Sequence, residues 1–343
     1  MLARIAHELY WIGRSLARAE HTARMLDGLF HEDVQGRRAD GSGVRLTWDS
    51  MLVIMGLELG ASSTDRDEVV RRLTLDRGNA ASVVSCVAQA REGARTVRDV
   101  FSGEMWETIN SLHLFLGNPA LPDVAERNPH AFFQRIRNEA QLIQGLGDAT
   151  LAHDECWRFV RLGTFLERAD NVAHTLASQA HMLRDDGRDE ADVVRWIGVL
   201  RSCGAAEGYA RYYSLRVEPA RVVEFLLLNA QFPQSVRFSL RQAWDALRAL
   251  SSDDGDADVP KFAASSATRA LGLLTAQLEH ATVDEIIESG LQAYLNAVQR
   301  DLARVTDHVT RVYLRDEPHE GRLGGVARAI RLMAEQQQQA HDQ

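Results

Sequence analysis

Apolar residues recur at three and four positions along most of the chain, and no stretch shows convincing strand alternation. In the first segment, Leu9, Ile12, Leu16, Ala19, Ala23 and Leu26 make one stripe at helical spacing. The same periodicity predicts helices over about 2–30, 46–60, 66–76, 79–100, 103–117, 129–147, 150–184, 190–213, 219–229, 234–250, 260–280, 283–314 and 324–338. Local chemistry supports several starts: Asn128 stands before Pro129 at a first helical position, and Thr282 with Glu285 has capping-box spacing. Thr64 and Asp67 repeat that spacing with the shorter acid. Loop-like composition marks breaks at 36–43, 118–128, 185–189 and 251–258. None of these has the length of an interdomain linker. The expected fold is all-α, a bundle of long, mostly antiparallel helices, with one domain over 1–315 and a partly helical C-terminal tail over 316–343.

A shift of 150 residues lays Gly13, Leu16, Arg18, Ala19 and Ala23 on Gly163, Leu166, Arg168, Ala169 and Ala173. Glu20 then falls on Asp170 and His21 on Asn171. This predicts an internal pseudo-repeat, two helices in equivalent positions near the centre of the bundle. On the first of them Glu20 lies at the edge of the apolar stripe, one turn before Arg24, and Asp170 takes the corresponding place on the second. A carboxylate there is costly unless it is paired. Arg14 and Arg18 lie one turn apart on another face, near His7, Trp11 and His21. Two readings follow. In one, the charges pair within the protein, Glu20 with Arg24 or Arg168 and Asp170 with Arg18. In the other, the helices enclose a polar cavity whose arginines face an anionic ligand.

Composition narrows the choices without naming a reaction. The 343 residues carry 45% hydrophobic and 25% charged side chains, enough for a sizeable core, and a net charge of −9 that argues against nucleic acid as a partner. The first residues, interrupted by Arg4, His7 and Glu8, lack a signal-peptide core, and no uncharged run approaches the ~20 residues that span a bilayer. The expectation is a cytoplasmic protein with no membrane partner. Cys86, Cys156 and Cys203 are scattered, which excludes a disulfide framework and a CxxC knuckle. No Glu stands three residues before any of the 12 His, so a di-iron carboxylate bundle lacks its ligands. There is no GxxxxGK[ST], HExxH or GxSxG pattern. No metal and no cofactor is expected.

Five motifs stand in order along the chain: the run Ala3 to Arg24, Ala94 to Arg98 with Ser102 to Asn110, Trp157 to Phe159 leading to Leu166 through Asp170, Leu200 to Cys203, and Glu224 to Phe238. This ordered set resembles the bacterial alpha-E family, an all-helical domain of unsettled function. The resemblance covers about 1–315. It implies a companion role beside circularly permuted ATP-grasp proteins and transglutaminase-like proteins, in sets that look like amidoligase systems. There are departures from the family pattern. Ala17 and Ser15 replace what looks like the usual Glu and aromatic, which Glu167 and Phe165 keep, and Thr164 and His174 stand where Arg is frequent. Ala206 replaces a usual bulky residue.

Other clusters add candidates. Arg91, Arg95 and Arg98, four and three apart, share one helix face, and Glu104, Glu107 and Asn110 share another, with Trp106 reading as core. Arg201, Glu207, Tyr209, Arg211, Tyr212 and Tyr213 interleave aromatics with cations, and Arg237 stands near an expected helix start. The candidate anion ligands are therefore Arg14, Arg18, Arg95, Arg98, Arg168, Arg201 and Arg237, and the candidate acids or bases Glu20, Glu104, Glu107 and Asp170. The leading expectation is a partner or subunit of an ATP-grasp amidoligase system that binds an anionic peptide or acyl-phosphate-like intermediate. The alternatives are a stand-alone non-metal enzyme using Glu/Arg chemistry, and a structural adaptor without a small-molecule site. Homo-oligomerisation is open on all three.

Overall fold

The computed structural model describes residues 1–36, 48–55, 57, 65–121, 125, 127–180, 190–213, 216–252 and 261–314. Every regular element among them is helical. The expected tail over 316–343, with its helix at 324–338, lies outside the described residues, as do Thr64 and the break at 185–189. In order the helices are α1 Ala3–Gly36, α2 Trp48–Ile54, α3 Arg66–Thr74, α4 Val83–Thr96, α5 Gly103–Leu116, α6 Pro129–Thr150 and α7 Glu155–Gln179. They continue as α8 Glu190–Ser202, α9 Ala206–Tyr213, α10 Pro219–Val223, α11 Val236–Ser252, α12 Lys261–His280, α13 Val283–Ser289 and α14 Leu291–Tyr313.

Side-chain caps fix many starts. Ser82, Ser102 and Asn128 accept hydrogen bonds from the backbone N–H of Ser85, Met105 and Ala131, with Pro129 at the first helical position. Asp154 caps α7 through the N–H groups of Cys156 and Trp157, so this helix begins five residues later than its periodicity suggests. The capping box of Thr282 and Glu285 forms in full.

Two of the long expected helices are each broken once. The 190–213 segment divides into α8 and α9 at Gly204, φ 61°, and the 283–314 segment into α13 and α14 at Gly290, φ 97°. Both glycines adopt backbone that other residues rarely enter. The 219–229 segment is α10 followed by one π-helical turn, Glu224–Leu228.

The apolar stripe of α1 is the centre of the core. Leu9, Ile12, Leu16, Ala19, Ala23 and Leu26 are each no more than 2% exposed. They are covered by α4, α6, α7 and α8. Helix α7 in turn carries α11 and α14 on its far side. The central pair, α1 and α7, runs parallel: the N-terminal amine lies 3.5 Å from Glu155, Arg18 meets Glu167, and the His21 ring lies 3.3 Å from the Thr175 hydroxyl. The neighbours of this pair are antiparallel to it. Asp27 of α1 meets His130 and Arg137 near the start of α6, and Glu20 meets Gln141 and Gln144 further along. Arg161 and Phe165 of α7 likewise meet Gln242 and Phe238 of α11 in reversed order.

Where α1 and α7 cross, two glycines let the backbones touch. A Cβ on Gly13 would overlap the Val160 carbonyl oxygen, and one on Gly163 would overlap that of Tyr10. The approach is reciprocal under the 150-residue shift, since Val160 and Tyr10 are themselves 150 apart.

Candidate functional site

The glycine crossing sets the spacing at which side chains of α1 and α7 meet, and the residues following it on both helices are charged. On one flank Glu167, 1% exposed, accepts from Arg14 Nε at 2.5 Å and from Arg18 Nε and Nη2 at 2.5 and 3.1 Å. Arg14 also donates to the Tyr10 and Thr306 hydroxyls at 3.0 and 3.2 Å, and its Nη2 lies 3.9 Å from Asp170. Asp170 closes this flank toward solvent, 3.4 Å from His174.

Electrostatics follow from burial set against pairing. Burial pushes the Glu167 carboxyl up, yet Arg14 and Arg18 together hold it below its ordinary value. The same pairing raises both arginines against their own burial. Burial opposes ionisation of Asp170 too, but His174 and then Arg14 keep it low. His174 is raised to about 9, Asp170 overcoming the effect of burial. At His21 burial and Arg24 outweigh the carboxylates of Glu20 and Glu167 and bring it down to about 4. At neutral pH the carboxylates here are ionised hydrogen-bond acceptors.

The opposite flank is built around Glu20, 3% exposed. It pairs with Arg24, accepts from Gln141 and Gln144 at 3.1 and 3.0 Å, and lies 3.8 Å from Arg168 Nη2. Arg168 and Arg24 keep its pKa low despite burial. Arg168 Nη2 also donates to Gln144 Oε1. Arg24 fits because Gly204 presents no side chain; a Cβ there would run into the guanidinium.

Of the pairings anticipated from the sequence, Glu20 with Arg24 and Glu20 with Arg168 are both present. Arg18 differs: it turns to Glu167, and Asp170 meets Arg14 and His174. The remaining candidates are not brought to the crossing. Arg95 pairs with Glu92 on an exposed face, and Glu104 and Glu107 are exposed on α5. Arg98 donates to the Phe101 carbonyl and lies 5.5 Å from the Trp106 ring, which is only partly buried and faces Arg91 as well. Arg201 is exposed, and Arg237 donates to the Leu228 carbonyl at the end of the π-helical turn. Tyr209 is fully buried, bridging the Arg216 carbonyl and the Glu218 N–H, and packs edge-on against Phe225.

Sequence reasoning missed Tyr10, Gln141, Gln144 and Thr306, as well as Asp27, a 3% exposed carboxylate held by His130 and Arg137. Among the described residues no three His, Cys, Asp or Glu converge in a way that holds a metal ion. Cys86 and Cys203 are buried, which raises both thiols to about 12. No helix among the described residues is long and apolar enough to cross a membrane.

Comparison with known proteins places these contacts in a wider frame. A family profile described as "a predicted alpha-helical domain with a conserved ER motif" matches residues 1–314. Glu-Arg occurs here at 126–127 and 167–168, and the second pair is the one at the crossing. Uncharacterised proteins of Mycobacterium bovis and Mycobacterium tuberculosis are similar, each 24% identical over 324 residues. The alignment takes in 88% of this chain and 36% of each relative, so the chain spans about a third of the length of the curated relatives it matches. No solved structure gives a significant match.

Proposed function

The chain belongs to the Alpha-E family, and from that premise we propose that it is the helical partner or subunit of an ATP-grasp amidoligase system, where it binds an anionic peptide or acyl-phosphate-like intermediate. The observation that carries the binding part is an arginine-bearing cavity of about 60 Å³ beside the crossing, walled by Arg161 and Arg168. An adaptor has no need of partly buried guanidinium groups around empty space. The length of the relatives supports the partner part, since there the matched region is about a third of a longer chain. A catalytic role has less support. Glu20 and Asp170 are ionised and held by cations, which suits a framework better than proton transfer.

On this reading α1 and α7 are two copies of one pattern. The α7 copy keeps its internal carboxylate, Glu167, while α1 has Ala17 at the matching place.

The test is co-purification of the full chain with the circularly permuted ATP-grasp and transglutaminase-like proteins of its own source. An ATP-dependent ligation assay with and without the chain follows. Complex formation and a faster ligation are expected. No complex and an unchanged rate would reject the partnership.

A further inference from the structure

Resting on the binding reading above, we propose that the cavity at the crossing is a carboxylate site, with Arg168 as its main donor and Arg161 as its second cation. Gly13, Gln144, Trp157 and Thr164 complete the part of the wall that matters here, together with Asp148, whose carboxylate accepts from the Trp157 indole N–H and from Arg161; mostly apolar side chains make the rest. The two flanks of the crossing explain why the site wants an anion. On the filled flank Arg18 Nε is met by the Glu167 carboxylate, and the Arg14 side chain lies alongside. Under the 150-residue shift their counterparts are Arg168, Ala17 and Thr164. Ala17 brings no carboxylate, and Thr164 is far smaller than arginine. Arg168 Nε, buried, has no acceptor among the described residues.

Charge points the same way. Arg14 and Arg18 are raised by their partners, whereas Arg168 is lowered by burial, with Arg24 and Arg161 adding to the effect against Glu20 and, more weakly, Asp148. A buried cation with too little compensation attracts a further anion. Arg161 is a fixed second donor. Its guanidinium lies 4.6 Å from the Trp157 ring centre and 4.7 Å from that of Phe165, and it is anchored on Asp148 and Gln242. The fork geometry of guanidinium suits a two-oxygen group. The size of the cavity selects a carboxylate with one or two carbons inside and excludes a nucleotide. The carboxylate can arrive as a free small acid or as the end of a peptide side chain or C-terminus.

The experiment is nuclear magnetic resonance of the arginine Nε–H groups in the isotope-labelled full chain. The probes are sodium acetate and an acetylated tripeptide ending in glutamate, with sodium chloride as the ionic-strength control. One Nε–H signal, assigned by its loss in Arg168→Lys, is expected to move saturably with acetate and not with chloride. Ala17→Glu, which returns an internal carboxylate, is expected to shift that signal without ligand and to weaken acetate binding by about tenfold or more. If that variant does not fold, Thr164→Met fills the cavity without changing charge and is expected to weaken binding by a similar factor. Saturation by the tripeptide as well assigns a peptide carboxylate, and saturation by acetate alone a free acid; both support the site. No saturable shift with either probe, or the same midpoint in folded Thr164→Met, overturns it. Acetate binding in a chain that leaves ligation unchanged would reject the partnership and keep the site. Faster ligation with no acetate shift would reject the site alone.

Discussion

Glu167 and Arg168 are neighbours in the chain and act on opposite flanks of α1. Glu167 draws Arg14 and Arg18 from one side, and Arg168 reaches Glu20 and Gln144 on the other. Adjacent helical residues diverge by about 100°, so a Glu-Arg dipeptide grips a parallel helix from both flanks. The glycines supply the closeness and the dipeptide the polar connections.

Removing the Glu167 charge is expected to be severe. Glu167→Gln leaves two buried arginines without their carboxylate, which costs about 3–5 kcal/mol. Urea unfolding of this variant should show a large fall in midpoint. Arg95→Gln, at an exposed pair, should stay within about 0–1 kcal/mol of the parent.

The glycines at the crossing should tolerate no side chain. Gly13→Ala or Gly163→Ala sets a methyl group against a backbone carbonyl that cannot rotate away, so the helices must separate, at a cost of about 1–3 kcal/mol or more. Gly145→Ala is the control: nothing lies within 4 Å of its added Cβ, and helix propensity should raise stability by about 1 kcal/mol. Thermal melts of the three variants read the contrast directly.

Gly290 isolates backbone strain from packing. Its φ is 97° and no atom stands within 4 Å of an added Cβ, so Gly290→Ala should cost about 1–2 kcal/mol through conformation alone. Gly204→Ala should cost more, because the methyl group also displaces Arg24 from its place beside Glu20. Chemical denaturation of both variants gives the difference.

Stability should fall on both sides of neutrality. Folded His174 titrates at about 9, above its ordinary 6.5, so its contribution is complete below about pH 6.5 and is lost as pH rises through 9. Folded His21 titrates at about 4, below 6.5, so its contribution is present above pH 6.5 and is lost as pH falls through 4. Glu20, Glu167 and Asp170, all held low, add to the acid limb at the bottom of that range. Unfolding midpoints measured against pH should lose the alkaline limb in His174→Gln. The upper part of the acid limb should disappear in His21→Gln.

The legible features were the local ones. The apolar stripe of α1 and the caps at Asn128 and Thr282 depend on residues within a turn or two, and they stand as read. The breaks at Gly204 and Gly290 were hidden because a single glycine inside a periodic run is compatible with helix until its φ is known. The site was half legible. The 150-residue self-match singled out two helices that pack against each other, and Arg14, Arg18, Arg168 and Glu20 are among the residues that meet between them. The choice of Glu167 over Asp170 as the main acceptor depends on how the helices rotate about the glycine contact. Gln141 and Gln144 belong to a helix more than a hundred residues further on, and glutamine carries no charge to draw attention to it.

The parallel pairing of α1 with α7 also governs when the protein can assemble. Arg18 leaves the ribosome roughly 150 residues before Glu167, and at typical elongation rates of ~5–20 residues per second that is a wait of roughly 7–30 s. Through that interval the nascent α1 has its apolar stripe and, in Arg14 and Arg18, two arginines that still lack the Glu167 carboxylate. Antiparallel helices such as α4 and α6 emerge earlier and can cover the stripe. The charged flank has to stay hydrated until the second helix of the pair arrives. A nascent chain arrested short of residue 167 should therefore stay protease-sensitive in α1, and protection should appear abruptly once α7 is exposed.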